Sequence, residues 1–152
     1  MSNFYIKYSG IATPIEELIP SDTAQKHRIV HSDIDKPISG SNEEKYEKVA
    51  YFQYTTTAIP VALSALGGIG DMDTVTFLMI KIVDKADREN SGVNIDVLYV
   101  ESGSYPISTL SGVGDFIILR PDEIHTDDIE LNSTGSPAEC AICDIIVGGT
   151  AA

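Results

Sequence analysis

Only two cysteines, three histidines, ten basic residues and no tryptophan occur among the 152 residues of this chain, and each scarcity removes a class of function. Cys140 and Cys143 form a C-x-x-C pair, but no second pair completes a four-ligand zinc site. The segment around them is strand-like, so residues three apart face opposite ways and their sulfurs cannot easily join. Two reduced, buried thiols are the expectation. Two histidines, His27 and His31, lie near the N-terminus, leaving His125 alone in the rest of the chain. A catalytic metal takes about three protein ligands, so no metal site and no cofactor are expected. No apolar run approaches the ~18 residues of a membrane-spanning helix. Residues Met1–Gly10 also lack the apolar stretch of a secretory signal, so the chain is expected to fold where it is made, without a membrane.

Bases are scarce relative to acids. Residues 1–46 carry seven acids against five bases, a balance of −2, whereas residues 47–152 carry sixteen against five, or −11. Nucleic-acid binding rests on Lys and Arg neutralising phosphates, so such a surface repels it. Motifs of catalysis are missing too: there is no G-x-S-x-G, no phosphate-binding loop, no dinucleotide fingerprint and no matched Ser, His and Asp set. The chain is not expected to be an enzyme.

What is present is a succession of short strands. At 43% apolar residues the chain has a globular composition, and its length suits one core. From Lys48 to Val147 strand patterns run over residues 47–54, 58–63, 74–84, 93–101, 105–110, 115–119, 127–132 and 137–147. Turn signals separate them, among them Gly67-Gly68, Asn90-Ser91-Gly92, Ser111-Gly112 and Arg120-Pro121-Asp122. Strands about ten residues apart predict an all-β fold, an antiparallel β-sandwich or jelly roll spanning residues 47–152. Val75-Thr76-Phe77-Leu78-Met79-Ile80 is apolar on both faces, which predicts a central strand covered on both sides.

Residues 1–46 read differently. They are polar, mixed in charge and broken by Pro14, Pro20 and Pro37, as an extended N-terminal arm would be. Thr13-Pro14-Ile15-Glu16 fits a capping box and predicts a turn and a half of helix before Pro20. Phe4–Tyr8 and His27–His31 alternate like short strands, able to add to the chain's own sheet or to a neighbour's. Ala65-Leu66-Gly67-Gly68-Ile69-Gly70 is apolar where a hairpin tip should be polar, so Leu66 and Ile69 are either tucked back or pressed onto a partner. The residues expected at a partner contact are Ile15, Leu18, Ile19, Ile29, Leu66 and Ile69.

Three further patterns have a chemical reading. Gly114-Asp115 leading through Pro121 to His125 is similar to the second metal motif of cupins, but it has one extra residue before Pro121. It also lacks a Gly two residues after that proline and any upstream His-x-His. Asp71-Met72-Asp73 and Asp84–Asn90 place oxygens in loops without the spacing of a calcium loop. Asp122, Glu123, Asp127 and Asp128 make an acidic turn. Solvated loops are the expectation for all of these.

The last forty residues carry a family resemblance. Gly114-Asp115-Phe116-Ile117-Ile118-Leu119-Arg120-Pro121, then Asp128–Gly135, then Ala138–Gly149 resemble the closing strands of small β-sandwich proteins of tailed-bacteriophage virions. The resemblance implies a virion structural protein made in the host cytoplasm, most concretely a capsid decoration or cement protein. It implies homo-oligomers, contact with other virion proteins such as the major capsid protein, and an N-terminal arm that reaches neighbours. A tail or head-tail junction component, or a degenerate cupin-like ligand-binding module, are the alternative readings.

Overall fold

A computed structural model describes residues 4–12, 15–18, 27–30, 36–41, 46–85, 94–99, 105–134 and 140–152. All strand pairing in it is antiparallel, and the described residues contain no helix beyond two short 3₁₀ turns. The chain forms two compact units, Tyr5–Lys45 and a body of Met1–Phe4 with Tyr46–Ala152. The all-β class expected from the strand rhythm is the class observed.

The described residues of the body form nine strands: β5 (Lys48–Thr55), β6 (Val61–Ala62), β7 (Met72–Lys85), β8 (Asn94–Tyr99), β9 (Tyr105–Leu110), β10 (Phe116–Leu119), β11 (Ile124–His125), β12 (Ile129–Thr134) and β13 (Ala141–Ala151). One sheet has the order β10-β7-β13-β5, with β11 also on β7, and the other has the order β6-β12-β8-β9. Side chains alternate across a strand, so one face of each can be buried. On β13 that face is Ala141, Cys143, Ile145 and Val147, all fully buried. Register then lines up Ile117, Ile80, Ile145 and Phe52 across four strands. Ile129 and Leu131 of β12 and Leu110 of β9 join the same cluster, so the two sheets share one core. Truncating such a buried Ile or Leu to Ala costs about 2–5 kcal/mol.

β7 is the central strand that its double-sided apolar pattern predicts, lying between β13 and the pair β10 and β11. Leu78, Ile80 and Ile82 face the core. On the opposite face Phe77 is buried against Tyr46, whose ring meets it edge-on at 6.4 Å. The β7–β13 ladder shifts register between Gly148 and Gly149, where Gly148 opposes Phe77 and Gly149 opposes Val75. The extra residue of a bulge changes which side chains point inward. That is how Val75, three residues before Leu78, joins it in the core.

The described residues of the N-terminal unit form four strands, β1 (Lys7–Ala12), β2 (Ile15–Leu18), β3 (His27–Val30) and β4 (Lys36–Ser41). β1 pairs with β4, and between them in sequence β2 pairs with β3, so two two-stranded ladders nest one inside the other. The predicted helix after Thr13 is overturned, because Ile15–Leu18 is a strand with Ile15 opposite Val30 and Leu18 opposite His27. Nucleating a helix fixes several residues for its first hydrogen bond, and a turn and a half never recovers that cost. Pairing with β3 gives the same backbone groups partners at once.

Candidate functional site

Of the six residues expected at a partner contact, Ile15 and Leu18 lie on β2 and Ile29 on β3, while Ile19 lies outside the described residues. In the β2–β3 ladder Ile29 stands opposite Glu16. Leu66 and Ile69 lie elsewhere, and the expectation for them is corrected. Each is only 4% exposed and belongs to the core of the body.

The local backbone explains that burial. A 3₁₀ turn at Leu63–Ala65 is followed by two short-range bonds, Leu66 N–H to the Leu63 carbonyl at 2.9 Å and Ile69 N–H to the Leu66 carbonyl at 3.1 Å. These bends fold the loop back on itself. Gly68 then lies directly against the Phe52 side chain, where any β-carbon would collide, and Gly70 takes φ +68°, which favours glycine. The glycines that make the segment look like a loose apolar tip are what let it fold inward.

The features with chemical readings are dispersed. His125 ends β11 with its Nδ1 3.4 Å from Asp73 Oδ1, both side chains being largely exposed. Among the described residues no three His, Cys, Asp or Glu side chains form a group that could hold a metal ion. Asp115 acts within a turn: its Oδ2 accepts from the Ser111 N–H at 3.0 Å and the Gly112 N–H at 2.8 Å. That turn docks on β7 through Ile82 N–H to the Asp115 carbonyl and Gly114 N–H to the Ile82 carbonyl, with Gly114 at φ +95°. The Gly-Asp pair that is similar to a cupin motif is therefore the cap of the β9–β10 connection. Asp71 receives Lys48 at 2.8 Å, and this bond holds its carboxyl below the usual 3.8.

Neither cysteine is bonded to the other. Cys143 is fully buried, and burial, with the Asp144 charge beside it, pushes its thiol up to about 12. It packs as a core side chain, and both its burial and its raised thiol work against forming the thiolate, the reactive form. Cys140 is only half-buried, which corrects the expectation of two buried thiols.

The larger surface feature is the outer face of the five-stranded sheet. Ile118, Met79, Ile146 and Tyr51 share one cross-strand row there, and Phe116, Lys81, Asp144 and Gln53 share the next. Tyr51 is 65% and Phe116 62% exposed, and Gln53 donates to Asp144 Oδ1 at 2.8 Å. The individual strands were readable from alternation, but the row that joins them is a property of register, which no local pattern contains. Compared with known protein families, curated proteins and solved structures, the chain matches none.

Proposed function

We propose that this chain is a structural subunit of a tailed-bacteriophage virion, a capsid decoration or cement protein that stabilises a shell through contacts with its own copies and with the major capsid protein. The virion assignment comes from the resemblance of residues 114–149 to that class of protein. The observation that carries the assembly role is the N-terminal ribbon. Its β1–β4 and β2–β3 ladders form a compact unit distinct from the body, Tyr5–Lys45. A two-stranded ribbon is marginal in water and gains stability only when a face of it packs on something else. On a shell, a neighbouring subunit supplies that surface. The acid excess of the body, −11 over residues 47–152, suits a protein that stays clear of nucleic acid.

Particles purified by density gradient from the producing culture test this reading, with the chain quantified by mass spectrometry. The expected result is a fixed number of copies per particle, lost when Ile15, Leu18 and Ile29 are all changed to Lys. Recovery only in the particle-free supernatant would overturn the assignment, and undiminished particle binding by the triple variant would remove the ribbon from it.

A further inference from the structure

Among the described residues, the strands that end the two sheets of the body are not equivalent. β10 has four residues and stops before Pro121; β6 has two and directly follows Pro60; β9 carries Pro106 within it. Proline has no N–H to give a neighbouring strand, and a very short strand offers few groups to pair, so each of these edges resists addition. β5 has neither protection. It runs for eight residues, Lys48–Thr55, without proline or acid, and ends its sheet.

The ladder also shows which groups of β5 are free to pair. Thr56 N–H donates to the Ala141 carbonyl at 2.9 Å, in line with the register that sets Phe52 opposite Ile145. Backbone groups alternate sides along a strand, so even-numbered residues pair with β13 and Val49, Tyr51, Gln53 and Thr55 point to the open edge. Phe4 bridges Tyr46 just ahead of this stretch, and from Val49 to Thr55 no described strand lies on that edge.

We propose that this edge pairs with the same edge of a second copy, antiparallel about a two-fold axis, joining two five-stranded sheets into one. A two-fold contact places the same patch on both sides, so an edge that is uncharged from Val49 to Thr55 matches itself. With Phe52 on the axis, all four outward-facing residues are used, Tyr51 opposite Gln53 and Val49 opposite Thr55 of the second copy. No like charges face each other, and the one ion of the strand, Lys48, is already engaged by Asp71 at 2.8 Å. The net charge of −13 opposes association of copies in general, which favours a contact made through the uncharged stretch Val49–Thr55. Through Tyr51 opposite Gln53, the row Ile118, Met79, Ile146 and Tyr51 then meets the row Gln53, Asp144, Lys81 and Phe116 of the second copy. This contact is independent of the ribbon.

Light scattering and native mass measurement on the full chain test the proposal. Wild type is expected as a dimer or a multiple of one, and Tyr51→Lys with Gln53→Lys, which sets Lys against Lys across the axis, is expected to halve the mass with an unchanged circular dichroism spectrum. Ile107→Lys on the proline-bearing β9 edge is expected to leave the mass unchanged. A monomeric wild type, or a double variant that keeps its full mass, would overturn it. Should the double variant fail to fold, amide exchange on wild type decides. The amides of Val49, Tyr51, Gln53 and Thr55 are expected to exchange slowly at high concentration and at least tenfold faster on dilution. Equal exchange at both concentrations would sink the idea.

Discussion

Gly149 on β13 passes so close to Thr74 on β7 that a β-carbon at position 149 would overlap the Thr74 carbonyl oxygen. The contact sits at the register shift after Gly148, where the ladder accommodates an extra β7 residue. Nothing flexible lies in the way, because the obstruction is backbone. Gly149→Ala is expected to cost about 3 kcal/mol by the overpacking rule. In a domain of this size that lowers the melting temperature by roughly 6–12 °C in calorimetry. Gly67→Ala, with no atom within 4 Å of the added carbon, is the matched control and should shift stability by less than about 0.5 kcal/mol.

The inward fold of the loop at Leu66 and Ile69 makes a second prediction. Leu66→Ala and Ile69→Ala are each expected to destabilise the chain by about 2–4 kcal/mol in urea titration, as core truncations do. Ile59→Ala, at a side chain 74% exposed, should change it by less than about 0.5 kcal/mol. Equal, small effects at all three positions would mean that the loop is on the surface after all.

Asp115 holds the β9–β10 connection through its carboxylate. Asp115→Ala removes the acceptor for the Ser111 and Gly112 N–H groups and is expected to cost about 2 kcal/mol, since hydrogen bonds to a charged group are the stronger kind. Asp115→Asn keeps one acceptor oxygen and should lose about half as much. Paired chemical denaturation curves distinguish the two.

Alkaline stability depends on Cys143. Its thiol rises from 9.0 to about 12 on folding, so the folded state keeps a proton that the unfolded chain gives up. The contribution is complete below pH 9.0 and falls away as pH rises toward 12. The slope of stability against pH in that window is therefore negative, and Cys143→Ala should flatten it. Tyr54, whose phenol is also raised, chiefly by burial, accounts for part of the remaining slope. In the native state at pH 8, a thiol reagent is expected to label the half-buried Cys140 well before Cys143.

These residues also mark where the sequence was legible. Strand patterns at 47–54, 74–84 and 105–110 coincide with β5, β7 and β9 to within two residues at each end, because alternation acts between near neighbours. The pattern at 137–147 gives β13, which is instead Ala141–Ala151, since the strand is set by its partners β5 and β7 through Gly149. Thr13-Pro14-Ile15-Glu16 carried a real helix-start signal and lost to strand pairing, which draws on residues beyond the reach of a helical turn, as in Ile15 opposite Val30.

By itself the sequence determined an all-β chain, an acidic body, a distinct N-terminal stretch and a double-sided strand at Val75–Ile80. Each follows from composition or from periodicity within a few residues. Tertiary structure alone decided that Leu66 and Ile69 turn inward, that Phe77 is covered by Tyr46, and that β5 ends its sheet while β7 lies inside it. The reason is physical: whether a strand lies at an edge or in the centre depends on what pairs beside it, and β5 finds its partner on β13, across most of the chain.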